Sequence, residues 1–107
     1  MFADKSKERV MEVIKAEYDN AKKRWGDTYA SLHEGYGVLA EEVFECRKEY
    51  KAIKNTQEAL FRCIVEGFNK NEKQVAIEAC FAHASLLALE ACQVAAVCQK
   101  MLGGTKN

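Results

Sequence analysis

Three glutamates in the stretch SLHEGYGVLAEEVFECRKEY, residues 31–50, are placed to do chemistry: Glu41, Glu42 and Glu45. Glu42 and Glu45 are three residues apart, so on a helix their carboxylates leave the same side one turn apart. Two such groups can share a hard divalent cation such as Mg²⁺, which takes carboxylate and water oxygens. The same spacing occurs on ordinary solvated helix faces, so the surroundings decide its meaning.

A second polar set lies far down the chain. His83, Glu90 and Gln93 interrupt a run, Val75 to Cys98, that is otherwise almost wholly apolar. At 100° per residue the three fall within about one quadrant of a helix. Polar groups on a buried helix need partners. Glu90 either pairs across an interface or faces Glu42 and Glu45, making a carboxylate cluster that a cation would neutralise. Glu78 is the fallback for that second carboxylate.

The residues around the first cluster carry a resemblance. Trp25-Gly26-Asp27, Ser31-Leu32-His33-Glu34-Gly35-Tyr36 and Val38-Leu39-Ala40-Glu41-Glu42-Val43-Phe44-Glu45 follow one another closely. The run resembles the MazG-like all-α nucleoside triphosphate pyrophosphohydrolases, and looks most like their small phage-type members. Leu89 to Val97, LEACQVAAV, is similar to a later helix of that family. The resemblance implies a helical homo-oligomer, a dimer or tetramer, that uses Mg²⁺ or Mn²⁺ to cleave a nucleoside triphosphate to monophosphate and pyrophosphate. It implies metal ligation by Glu42, Glu45, Glu90 and the Gln93 position, with Glu41 or Glu45 acting on the attacking water. Where the family carries an Asp, this chain has Gln93, a poorer ligand for Mg²⁺. That departure keeps an alternative open: a non-catalytic helical oligomer, a nucleotide-binding or assembly module with a degenerate metal site.

The elements that must position these groups are helical. There is no proline and no β-branched run. Four helices are expected, at about 4–24, 31–53, 56–69 and 72–101, in one domain spanning 1–107. Val10, Met11, Ile14, Tyr18, Ala21 and Trp25 recur at steps of three and four and form one apolar stripe. Gly26-Asp27 breaks that helix. Ser31 to Glu34 forms a capping box at the start of the second. The second helix carries the stripe Leu32, Tyr36, Leu39, Val43, Cys46, Tyr50. Lys54-Asn55 should end it, Asn69-Lys70-Asn71 is the next turn, and Gly103-Gly104 closes the last helix. These readings predict an antiparallel four-helix bundle. The fourth helix is too apolar all round for so short a chain to surround, so a second copy should cover part of it.

Composition excludes several classes. Sixteen basic residues balance sixteen acidic ones, which argues against a nucleic-acid partner. The charges inside the apolar fourth helix argue against a membrane span. The charged N-terminal stretch lacks the apolar core of an export signal. The five cysteines form no CxxC pair and read as free thiols of a cytoplasmic protein. No glycine-rich phosphate loop, Ser-His-Asp set or thiolate zinc spacing is present. His33 reads as a residue of a helix's first turn and His83 as a satisfied core histidine. Trp25, Tyr36 and Tyr50 read as core or interface aromatics, one of which could stack on a base. Lys22, Lys23 and Arg24 could meet a triphosphate.

Overall fold

The computed structural model describes residues 2–103. It is all-helical, with three α-helices and no β-strand among the described residues. α1 spans Ser6–Trp25, α2 Leu32–Val65 and α3 Lys70–Gly103. The chain divides into two compact units, Met1–Val43 with Glu90–Asn107 and, separately, Phe44–Leu89.

The sequence places a helix end at Lys54-Asn55, but the chain runs straight through it. The helices expected over 31–53 and 56–69 are one α-helix of 34 residues, so there are three helices where four are expected. Lysine is a good helix former and asparagine costs only a fraction of a kcal/mol. Neither glycine nor proline stands there to force an end. The Thr56 hydroxyl donates back to the Ile53 carbonyl at 2.7 Å and stays within the helical path.

In the Phe44–Leu89 unit the true stop is Gly67, at φ +70. The Phe68 N–H donates to the Cys63 carbonyl at 2.9 Å and the Gly67 N–H to Ile64 at 3.4 Å. This is the paired closure by which a left-handed glycine ends a helix. Asn69 then caps α3: its Oδ1 accepts the Glu72 N–H at 2.9 Å and its Nδ2 donates to Glu72 Oε1 at 3.1 Å. The first bond satisfies one of the backbone donors that a helix start leaves open, and the second ties the two side chains together. Gly67→Ala should therefore cost about 1–2 kcal/mol, the strain of an L-residue in the left-handed region. A denaturant midpoint unchanged at fixed protein concentration would show the turn to be held by something else.

The two arms of this hairpin meet through small and polar side chains. Glu49 Oε2 and His83 Nδ1 lie 2.9 Å apart across it, which makes His83 a satisfied, half-buried histidine. On the same faces Ala52, Thr56, Ala59, Cys63, Ala76 and Cys80 are buried or half-buried. The large apolar residues point elsewhere. Phe61, Ile64, Val65 and Phe68 recur at steps of three and four and are all exposed, as are Val75 and Phe81.

The unit built around α1 repeats this pattern. The capping box forms in modified geometry: Ser31 Oγ accepts the Glu34 N–H at 3.1 Å, and Glu34 Oε1 accepts from the Ala30 N–H, one residue before the cap, at 3.3 Å. α1 ends at Trp25 as expected, and α3 runs to Gly103; Gly104 lies outside the described residues. The expected stripes are only partly the buried faces: Ile14, Tyr18 and Ala21 of the α1 stripe and Leu39 and Cys46 of the α2 stripe are half-buried. Val10, Met11 and Trp25 on α1 are exposed, as are Leu32, Tyr36, Val43 and, further along α2, Tyr50. The buried apolar residues of this unit are Tyr29, Cys92 and Ala96. Small side chains let helices approach closely, so α3 contributes Cys92 and Ala96 while bulkier neighbours turn outward. Gly35 serves the same end, because a Cβ there would lie 3.2 Å from both the Tyr29 ring and the Met101 side chain. None of the five cysteines forms a disulfide; Cys63 and Cys92 are buried and the others half-buried.

α3 is long and apolar enough to cross a membrane by length and composition, and little of that stretch is buried within the chain. Both facts describe the same open apolar surface.

Candidate functional site

The unit built around α1 contains a cavity of about 590 Å³ that gathers side chains from all three helices. α1 supplies Glu17, Asn20, Ala21, Arg24 and Trp25; the loop supplies Tyr29; α2 supplies Glu34, Val38, Glu41 and Glu42; α3 supplies Gln93, Ala96, Val97 and Lys100. Helical periodicity explains each group. Glu17, Ala21 and Arg24 are steps of four and three along α1. Glu34, Val38 and Glu41 are the same steps along α2, and Gln93, Ala96 and Lys100 along α3.

The chemistry of the lining is mixed in a particular way. Four carboxylates, Glu17, Glu34, Glu41 and Glu42, share the cavity with two cations, Arg24 and Lys100. Glu34 and Glu41 are exposed, whereas Glu17 and Glu42 are half-buried, and one Glu42 oxygen, Oε2, is enclosed. Glu17 Oε2 accepts a long hydrogen bond, 3.5 Å, from the Gln93 amide nitrogen. Tyr29 is 6 % exposed. Burial, with lesser contributions from Glu34, Glu42 and Cys98, holds its hydroxyl above the usual tyrosine range, because each of these disfavours a phenolate.

Of the residues singled out from sequence, the cavity brings together Glu41, Glu42 and Gln93. Glu90 is half-buried in the same unit but is not among the lining residues. Glu45 belongs to the Phe44–Leu89 unit, where Lys48 sits 3.4 Å from it. Glu78, in that unit too, is exposed and accepts a hydrogen bond from Gln74 at 3.0 Å. His33 is exposed. Among the described residues, no group of three or more His, Cys, Asp and Glu side chains stands ready to hold a metal ion. No family profile, curated protein or solved structure matches the chain.

Sequence reasoning missed Glu17, Tyr29 and Lys100, and saw Glu34 only as a cap. Glu17 had a faint signal, since it stands at the edge of the α1 stripe, next to Tyr18 and one turn from Ala21. Tyr29 had none, because a single tyrosine in a short loop has no periodicity. The fit of a hard cation can be judged on the donors themselves. Carboxylate and amide oxygens are the ligands Mg²⁺ prefers, and it needs only one or two protein carboxylates when waters and phosphate oxygens supply the rest. Glu42, Glu41 and Glu17, which line the one cavity, are donors of that type.

Proposed function

We propose that this chain is a Mg²⁺-dependent nucleoside triphosphate pyrophosphohydrolase of the MazG-like kind. The observation that carries the reading is the cavity in which the EExxE glutamates Glu41 and Glu42 meet Glu17, Gln93, Arg24 and an exposed Trp25. A bound Mg²⁺ would neutralise phosphate oxygens and stabilise charge on the departing pyrophosphate. Glu42, whose Oε2 is enclosed, and Glu17 are the carboxylates best supported as its holders. Glu17 also supplies, beside Gln93, the negative charge that an Asp at that position would have carried. Glu41 is exposed at the cavity wall, where it can orient water and accept its proton as the water oxygen bonds to the α-phosphorus. The bond to the β-phosphate oxygen then breaks and pyrophosphate leaves. Trp25 offers an open ring face for a base. Glu45 and Glu90 keep their proposed ligand roles as residues to be tested beside Glu42.

The same reading makes the protein a cytoplasmic homodimer or homotetramer. The exposed apolar residues of α2 and α3 are the surface that a second copy would cover, and two α2–α3 hairpins would together form a four-helix bundle. The alternative, a helical binding or assembly module, draws on Gln93 and on the lack of a ready three-ligand group among the described residues.

The deciding experiment incubates the purified chain with each ribo- and deoxynucleoside triphosphate and Mg²⁺, and follows pyrophosphate and monophosphate together. Equal release of both, lost on chelation, is the expected result. Release from none of them would leave the assembly module standing.

A further inference from the structure

Lys100 is a buried charge that the proposed chemistry leaves unused. It is 2 % exposed and lines the cavity of the α1 unit. Four carboxylates line the same cavity, yet Lys100 has no part in the ion pairs Lys15–Asp19, Lys48–Glu45 and His83–Glu49. The Lys100 ammonium instead sits 4.2 Å from the centroid of the Tyr29 ring. An ammonium withdrawn from water loses far more than a ring face returns. A lysine present only to balance charge would settle against a glutamate; this one settles against the Tyr29 ring. Its platform is firmly placed, since Tyr29 is buried against the bare backbone of Gly35.

We propose that Lys100 is the anion-binding residue of this cavity, taking the phosphate oxygens of a pyrophosphate-bearing ligand, with the Tyr29 ring holding the ammonium in place while the cavity is empty. The labour is then divided by helix. Glutamates of α1 and α2 face the cation, and the last turns of α3 face the anion. That the ligand is a nucleotide rests on the reading given above. The phosphate chemistry rests on the lysine and its surroundings alone.

Inorganic pyrophosphate is the probe, titrated into the whole chain with Mg²⁺ present. Binding is followed by calorimetry and by the proton and carbon resonances of the Lys100 ε-methylene. In the free protein these protons should be shifted upfield by the Tyr29 ring, and saturation with pyrophosphate should move them downfield. Lys100→Met should weaken pyrophosphate binding about tenfold or more, the loss of one charge-assisted contact. It should leave binding of Mg²⁺ alone intact, and Lys100→Arg should restore much of the affinity. Unmoved resonances at saturation, or no pyrophosphate bound at millimolar concentration, would overturn the assignment. If Lys100→Met does not fold, the wild-type resonances decide alone. Nucleotide turnover with a Michaelis constant indifferent to Lys100→Met would remove Lys100 and keep the enzyme. Pyrophosphate bound through Lys100 without turnover of any nucleotide would do the reverse.

Discussion

Glu42→Gln is expected to reduce Mg²⁺-dependent pyrophosphate release about 10²- to 10³-fold, because it weakens the hold on the cation that would stabilise the departing charge. The amide has nearly the same shape as the carboxylate, so helical content by circular dichroism should not change. Glu41→Gln should act on turnover and spare Mg²⁺ affinity, because Glu41 is assigned to the water and not to the metal. Glu45→Gln and Glu90→Gln, assayed beside them, measure how far the ligand set extends beyond the cavity. Gln93→Asp is the companion change. Gln93 donates to Glu17 at 3.5 Å, so an aspartate there sets two carboxylates against each other. The variant should melt lower than wild type without metal and regain more than wild type when Mg²⁺ is added, since a ligand that binds only the folded state stabilises it by mass action. A Glu42→Gln variant that turns over normally, or a Gln93→Asp variant indifferent to millimolar Mg²⁺, would defeat the enzyme reading.

Phe81→Glu should convert the protein from dimer or tetramer to monomer. Phe81 is 73 % exposed on α3 and Phe61 66 % exposed on α2. Burying one phenylalanine contributes about 1.5–3 kcal/mol. In a symmetric dimer each substitution counts twice, so losing it weakens association by about 3–6 kcal/mol, or roughly 10²- to 10⁴-fold. Light scattering at micromolar concentration should read a multiple of 12.1 kDa for wild type and the single mass for Phe81→Glu. A monodisperse wild-type monomer would end the assembly proposal. So would wild-type protein that leaves the membrane fraction only with detergent, because α3 would then have found lipid as its apolar partner.

The helical class was legible because periodicity and the lack of proline act locally. The start of α2 was legible for the same reason, its capping box being a contact between near neighbours. No break stands at Lys54-Asn55, because polar residues alone do not stop a helix; stopping needs a residue that leaves the helical region, as Gly67 does. Which stripe is buried was not legible. The apolar repeats on α1 and α2 are genuine, and Ile14, Tyr18 and Leu39 within them are half-buried, yet the Phe44–Leu89 unit closes along Ala, Cys, Thr, Glu49 and His83, leaving many bulky residues outside. A rule that sends large apolar residues inward assumes one chain makes the whole interior. Of the site, Glu41, Glu42 and Gln93 could be found because two of them lie in a compact motif and the third in its distant echo. Glu17, Tyr29 and Lys100 meet only through tertiary contact, which spacing along a chain does not encode.

The Gly67 turn also bears on how the chain reaches its native state. Glu49 and His83 are nearly equidistant from it, so the hairpin can close outward from a short preformed corner, each contact adding little loop entropy to the last. The contacts nearest the turn, such as Phe68 N–H to Cys63, are local in sequence, which favours fast folding of that corner. Covering Phe61 and Phe81 is by contrast bimolecular in the proposed assembly. Refolding should thus show a rapid gain of helix independent of protein concentration, followed by a slower phase whose rate rises with it.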